Sequence, residues 1–408
     1  MATAAVARTA SSGLILLLGA AVFLNYVDRG AIGIAAPIMK GELGLTAAEY
    51  GTAFSAFFWV YAPIQPLLGW LCDRFSVYRM IALGVVIWAV STLLMGFVGG
   101  FLSLLVLRIM LGIGESIIFP GSSKVIARHV PAEERGMANA WCAAGLSLGP
   151  AAGTLAGGLI LASFGWRAIF IAFGLVTLVW LLPWRKVVND LPKVADKSSA
   201  SPVPIGKLLG KWSLWAMSIG HASSNFAFYF LLAFTPLYLV QHEGMSIPQM
   251  TLLTTLGYGA QGMTAFAIGI WSDRWTKSGR SEGAIRRTLL TLGQLATAAS
   301  LVAITMTHSA LAIGLLLVVM GIATACLPTN LYAVAQMFAG PRAAGTWVGF
   351  QNGVGNISGI VGPVILGILI DQQSYESAFC LAAGIAAFGG LWWILGVPKI
   401  EQVDFETR

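Results

Sequence analysis

The sequence predicts an all-α membrane protein of twelve spanning helices, arranged as two six-helix halves. Three observations carry this expectation. The 408 residues are 57% apolar and only 10% charged, whereas a soluble globular domain carries about 25% charged residues. The apolar residues gather in runs long enough to cross a bilayer, which takes about 20 residues each. One long polar stretch, RKVVNDLPKVADKSSASPVPIGKLLG at 185–210, divides those runs into six and six.

The runs can be taken in order. Span one, residues 13–38, opens at Gly13 and carries Asp28 and Arg29. Only Arg8 precedes it, and no small-residue cleavage site stands ahead of Asp28. It therefore reads as an uncleaved span rather than a signal peptide. Span two, 48–71, holds Tyr61 and ends in the loop GWLCDRFSVYR, Gly69–Arg79. Span three is 78–99, and span four, 102–126, carries Arg108 and Glu115. Span five, 136–162, is rich in glycine and contains Pro150; span six, 165–184, opens on GWRAIF. Span seven, 211–240, follows the polar stretch. Span eight, 248–272, ends in GIWSDRWTKSGR, Gly269–Arg280. Spans 287–307, 309–337, 344–370 and 376–397 complete the chain. The expected organisation is an N-terminal half (1–184), a cytoplasmic linker (185–210) and a C-terminal half (211–408).

Charge fits this reading. With both termini cytoplasmic, only Lys40 and Arg167 of the 24 basic residues fall in outer loops, and Arg29 and Arg108 lie within spans. The other twenty sit in inner loops or tails, as the positive-inside rule requires. The net charge of +7 thus reports topology and implies no nucleic acid partner. Cys72, Cys142, Cys326 and Cys380 lie far apart in apolar segments, without metal-ligand spacing. They read as small buried apolar residues. No metal or cofactor is expected.

The two loops quoted above form an internal repeat. Gly69, Asp73 and Arg74 recur as Gly269, Asp273 and Arg274, with Arg79 and Arg280 closing the loops. This resembles the Gly-x-x-x-Asp-Arg loop of the major facilitator superfamily, whose halves are parallel repeats. The resemblance implies the major facilitator fold. An Asp at a helix end can pair with a neighbouring Arg and with the positive N-terminus of an adjacent helix. Gly69, Asp73, Arg74, Arg79, Asp273 and Arg274 are therefore expected to gate on the cytoplasmic side.

Four ionisable groups lie inside spans: Asp28, Arg29, Arg108 and Glu115. An isolated charge at mid-membrane costs about 2.5–3.5 kcal/mol on insertion scales, so such groups face a bundle interior and each other. Arg108 and Glu115 are seven residues apart and share a helix face, two turns apart. Buried ion pairs that only hold helices together would give the same pattern. The functional reading is a proton site beside an anion site. Desolvation favours the neutral form of a carboxylate, a nearby guanidinium favours the ionised one, and Arg offers a fork to a substrate carboxylate.

The motifs NYVDR (span one), RIMLGIGES (span four), PAEERGMANA after it, NFAFYFLLAFTPLYL (span seven) and NGVGNISGIVGP (span eleven) resemble the anion:cation symporter family of that superfamily. Bacterial galactonate, glucarate and hexuronate carriers, sialin and the vesicular glutamate carriers belong to it. The resemblance implies that Asp28 and Glu115 take protons, that Arg108 couples to these acids, and that Arg29 recognises a substrate carboxylate. It places Tyr61, and Asn352 or Asn356, against the substrate. Asn225 and Tyr229 share a face of span seven and could bind substrate or bridge helices; Gln261, Asn330 and His221 are weaker candidates of the same kind. Sugar-acid carriers often place Gln in span five where this chain has Leu146. That leaves a smaller, less hydroxylated or aromatic carboxylate open.

The expected function is proton-coupled uptake of a small organic anion by alternating access, as a monomer in a bacterial inner membrane. The alternative is a proton-coupled exporter. Gly136, Gly145, Gly149, Pro150 and Gly153 follow the spacing of a motif seen in drug–proton antiporters, although the motif's final Gly is Thr154. No motif sets a nucleophile beside a base and no nucleotide-binding loop is present, so an enzyme is not expected.

Overall fold

The structure, a computed structural model, describes residues 2–130, 135–190, 203–372 and 374–405. The chain divides into two compact units, Met1–Leu45 with Thr52–Ser198, and Thr46–Gly51 with Ser199–Arg408. All the regular structure among the described residues is helical. The helices before the break at 191–202 are α1 (Ala2–Glu42), α2 (Ala47–Arg74), α3 (Val77–Met95), α4 (Phe101–Glu115), α5 (Ile118–His129), α6 (Arg135–Phe164) and α7 (Trp166–Asn189). Those after it are α8 (Ile205–Leu209), α9 (Trp212–Leu237), α10 (Ile247–Lys277), α11 (Glu282–Ile304), α12 (Ala310–Gly355), α13 (Ile357–Gln372) and α14 (Tyr375–Leu395).

Among the described residues, ten helical stretches are long and apolar enough to cross a bilayer. Helices α2 and α10, of 28 and 31 residues, stand at the positions of the other two expected spans. Apolar side chains such as Leu102, Phe164 and Leu182 remain exposed. A soluble protein rarely leaves so much apolar surface uncovered, but lipid covers it well. The chain is a multi-pass membrane protein.

Two spans differ in detail from the expected runs. Span four is two helices, α4 and α5, that meet at Ser116–Ile117. Span eleven is broken at Asn356, between the end of α12 and α13. Helix α12 itself bends at Gly340, whose φ of 60° is left-handed and open to glycine without strain. The polar stretch 185–210 is also less plain than its composition suggests. Helix α7 runs on to Asn189, and Val203 and Leu208 are buried beside Leu214 and Trp393. These apolar residues anchor the end of the stretch, while 191–202 lie outside the described residues. Of the four cysteines only Cys72 is buried, and Cys380 is exposed, so the expectation of uniform burial is corrected. A cysteine is apolar enough for a lipid-facing position as well as a core one.

Helix α1 packs along α6 through small residues. A Cβ at Gly145 would lie 2.7 Å from the Gly19 carbonyl oxygen, and one at Gly153 would lie 2.6 Å from that of Val27. At Gly149 it would lie 2.5 Å from the Tyr26 Cβ. The three glycines are therefore needed for backbone approach, which gives the span-five motif a packing role. Gly149→Leu should push α6 off α1 just where α1 carries Asp28 and Arg29. Overpacking of this kind costs about 1–3 kcal/mol or more. The expected result is a purified protein with a thermal midpoint lower by several degrees. An unchanged midpoint would remove the seam from the argument.

Candidate functional site

The first unit builds a charged cluster from four helices. Helix α1 supplies Asp28 and Arg29, α2 supplies Phe54, Phe57 and Tyr61, α3 supplies Trp88 and Thr92, and α4 supplies Arg108 and Glu115. Two glycines bring α4 close enough. A Cβ at Gly112 would run into the Phe57 carbonyl of α2, and one at Gly114 would lie 2.7 Å from the Gly84 carbonyl of α3. Glu115, the next residue, is thereby delivered to the interior at the very end of α4.

All four ionisable groups are buried. Arg29 Nε donates to Glu115 Oε2 at 3.2 Å, with side-chain exposures of 7% and 0%. This ion pair joins α1 to α4. Asp28 Oδ2 accepts from Thr92 Oγ1 at 2.9 Å and from Trp88 Nε1. Arg108 Nη2 donates to the Phe54 carbonyl at 2.9 Å, and its Nε donates to the Ala53 carbonyl. The two acids and two bases cancel in formal charge.

Aromatic rings hold both guanidiniums. Arg29 Cζ lies 4.8 Å from the Tyr26 ring centre, 4.9 Å from that of Phe57 and 4.7 Å from that of Tyr61. Arg108 lies 5.2 Å from the Phe54 ring and 5.1 Å from Phe57. Phe57 therefore serves both cations, and it stacks on Tyr61 at 4.9 Å. A desolvated cation over a ring gains about 2 kcal/mol. These contacts keep the planar forks in place without using their donors. Glu115 Oε1 and Asp28 Oδ1 are buried without a hydrogen-bond partner among the described residues. Each acid thus keeps one oxygen where a proton or a donor can be added.

The span-seven and span-eleven candidates meet in the second unit. Asn225 Nδ2 donates to the Gly355 carbonyl at 3.1 Å, and Tyr229 donates to Asn356 Oδ1. Asn356 Nδ2 donates in turn to the Asn352 carbonyl at 2.7 Å. These bonds staple the break between α12 and α13. His221 lies against Gly355 and pairs with Gln351 at 3.1 Å. Asn330 bonds Arg286 and the Cys326 carbonyl, so it ties α11 to α12.

The repeated loops are only partly visible. Gly69, Asp73, Arg74 and Asp273 have side-chain positions outside the described residues, while Arg79 and Arg274 are exposed. Sequence reasoning missed Tyr26, Phe57, Trp88 and Thr92. Trp88 and Thr92 are four apart and share a helix face, a spacing that marks a paired polar contact in an apolar run. The rings of Tyr26 and Phe57 carry no such signal.

Residues 18–280 and 244–406 match the Major Facilitator Superfamily. The chain is 30% identical over 386 residues to a probable sulfoacetate transporter of Cupriavidus necator, covering 90% of each. It is 28% identical over 389 residues to a hexuronate transporter of Bacillus subtilis, covering 92% of each. Its fold matches that of a bacterial homolog of the human lysosomal transporter Spinster, crystallised inward-facing and occupied. That match has a TM-score of 0.81 at 19% identity and covers 95% of this chain and 97% of the other.

Proposed function

For a chain that belongs to the Major Facilitator Superfamily, as this one does, we propose inward transport of a small organic anion together with one or more protons. A membrane transporter of this family is not an enzyme. The two relatives described above are organic-anion transporters by name, and one observation supports the mechanism: the buried Arg29–Glu115 pair.

Arg29 is the anion-recognising group in this reading, and Glu115 is its occupant when no substrate is bound. A proton on Glu115 weakens its hold on the guanidinium, and a substrate carboxylate can then take the fork. Loss of the proton on the other side of the membrane restores Glu115 as competitor and expels the anion. Proton and substrate thus travel together because they act on one cation. Asp28 is a second proton site, and Arg108 keeps the local charge balanced. Tyr61 frames the substrate beside Arg29. Asn225, Tyr229, Asn352 and Asn356 are the second unit's substrate candidates in this reading, and each would first release a bond made within that unit.

The same reading sets both termini on the cytoplasmic side of a bacterial inner membrane, with the protein acting as a monomer. It takes 1–184 and 211–408 as the repeated halves, joined by the linker 185–210. The loops at Asp73 and Asp273 serve as latches on that side. The exporter alternative rests on the span-five glycines, which pack against α1; inward transport is preferred because a buried Arg29 suits an anion.

A thermal-shift screen of the purified protein tests this directly. Sulfoacetate, hexuronates, glucarate and short mono-acids should include at least one stabiliser, and its amide analogue should not stabilise. A screen in which neutral amides stabilise as well as acids would overturn the anion reading.

A further inference from the structure

The first unit carries a line of buried polar atoms that leads away from the charged cluster. Asn25 precedes Asp28 by three residues and Arg29 by four, so it shares their face of α1, one turn nearer the N-terminal end. It is 0% exposed, and neither Oδ1 nor Nδ2 of its amide has a hydrogen-bond partner among the described residues. Ser122 follows Glu115 by seven residues. Ser116 and Ile117, between α4 and α5, keep right-handed helical angles, with φ of −63° and −76°. The two-turn register therefore carries over, and Ser122 shares the face of Glu115. Ser122 is 5% exposed, and its Oγ also has no partner among the described residues.

These atoms stand in apolar surroundings. Leu18, Ala21 and Val22 share the buried face of Asn25, and Ile118 and Val125 share that of Ser122. An asparagine amide both donates and accepts, and so does a serine hydroxyl. Leaving such groups unpaired in an apolar interior is costly, and where side chains offer no partner, ordered water is the usual one. Both residues lie in one direction from the acids. Helix α5 packs on α1, and spans one and four run opposite ways across the membrane. Moving back along α1 and onward along α4 and α5 therefore leads to the same side. At 1.5 Å per residue, Asn25 lies about 6 Å along α1 from Arg29, and Ser122 lies about 10 Å along its own span from Glu115. Glu115 Oε1 and Asp28 Oδ1, which make no hydrogen bond to the described residues, form the other end of the line.

We infer that Asn25 and Ser122 hold a short chain of waters that carries the coupling proton between Glu115 and the cytoplasmic side. The assignment rests on the proton-coupled reading with cytoplasmic termini, and it adds a route to the site. Hydrogen-bonded oxygens stand about 2.8 Å apart, so two or three waters bridge the distance between the acid and Ser122. On release, the Glu115 O–H bond breaks as its proton passes to the first water. Each water hands on a different proton, and the last one leaves to the cytoplasm, so no charge stays in the chain. The Asn25 amide does not carry the proton. It orients the waters by accepting at Oδ1 and donating from Nδ2, and the Ser122 hydroxyl can do both. The two are positioning residues, separate from the fork that recognises the anion.

The experiment uses proteoliposomes of the full-length protein and the labelled acid that stabilises it best among sulfoacetate, glucuronate, glucarate and acetate. Asn25→Leu keeps the volume and removes both polar atoms, and Ser122→Ala removes only the hydroxyl. Each should slow uptake driven by a pH difference about tenfold, the worth of roughly one hydrogen bond in a barrier. The final accumulation should match wild type, because a route sets the rate and not the number of protons. Counterflow needs no proton release and should keep its rate. Asn25→Ser and Ser122→Thr retain a hydroxyl and should restore most of the uptake rate. If Asn25→Leu does not fold, seen as lost counterflow, the smaller change Ser122→Ala decides. Uptake and counterflow that slow together in Ser122→Ala would mean that the line only eases helix movement, and the route falls. It falls as well if a folded variant takes up acid at the wild-type rate, or if the final accumulation drops, which would place the residue in the coupling site itself. If the wild type shows counterflow but no accumulation under a pH difference, the proton-coupled reading falls and takes the route with it.

Discussion

Arg29→Lys is expected to weaken binding of the best-stabilising acid by about 10- to 100-fold while leaving a folded protein. The charge is kept, so the buried pair with Glu115 is not left as a lone carboxylate. What is lost is the fork. Lysine offers a compact ammonium on a flexible stem, whereas arginine offers coplanar donors that match a carboxylate. One charge-assisted hydrogen bond is worth about 1.5–3 kcal/mol, and each 1.4 kcal/mol is a factor of about ten in affinity. The three rings around Arg29, all within 4.9 Å of its Cζ, add to the effect, because they hold a planar group in one orientation. The measurement is isothermal titration of both proteins with the same acid. Equal affinity in the lysine variant would mean that Arg29 only ties α1 to α4.

The spans were legible because their signal is local. Length and apolarity of a run need no knowledge of its neighbours, and the charge bias of the loops orders the runs along the chain. The breaks were less legible. Helices α4 and α5 separate at Ser116–Ile117, four residues ahead of Pro120, which has no N–H to donate to the Ser116 carbonyl but which membrane helices often carry without a break. The site was legible as a set of residues but not as a set of pairs. Spacing placed Arg108 and Glu115 on one face of span four. The structure gives Glu115 an oxygen bonded to Arg29 of α1, and it turns Arg108 Nε and Nη2 to carbonyls of α2. Which partner a buried charge meets depends on how closely the helices approach, and that is set by Gly112 and Gly114 against α2 and α3. Glycines in an apolar helix are too common for their spacing to say which neighbour they admit. The ring that serves both cations, Phe57, looks in sequence like any other apolar residue of a span.

Glu115→Gln should abolish accumulation of substrate driven by a pH difference and preserve exchange at equal concentrations. Glutamine matches the protonated acid in shape and keeps an oxygen that Arg29 Nε can bond, but it carries no proton to release. Removing one partner of a buried pair can cost about 3–5 kcal/mol when it strands a charge, so folding has to be controlled for. Here exchange supplies the control, since only a folded and reorienting carrier performs it. In the proposed cycle, exchange requires the loaded carrier to turn from one side to the other and back. Net uptake further requires Glu115 to ionise and reclaim Arg29, which drives the anion off. The variant can do the first and not the second. Proteoliposomes loaded at one pH and diluted into another separate the two activities, with counterflow of labelled acid measured in parallel. Asp28→Asn is harder to read, because Asp28 adjoins Arg29 in sequence and accepts from Trp88 and Thr92, so its loss can also move the fork. Continued uphill uptake by Glu115→Gln would show that Glu115 is not the coupling proton site. The role would then pass to Asp28, the other buried acid with an oxygen that makes no hydrogen bond to the described residues.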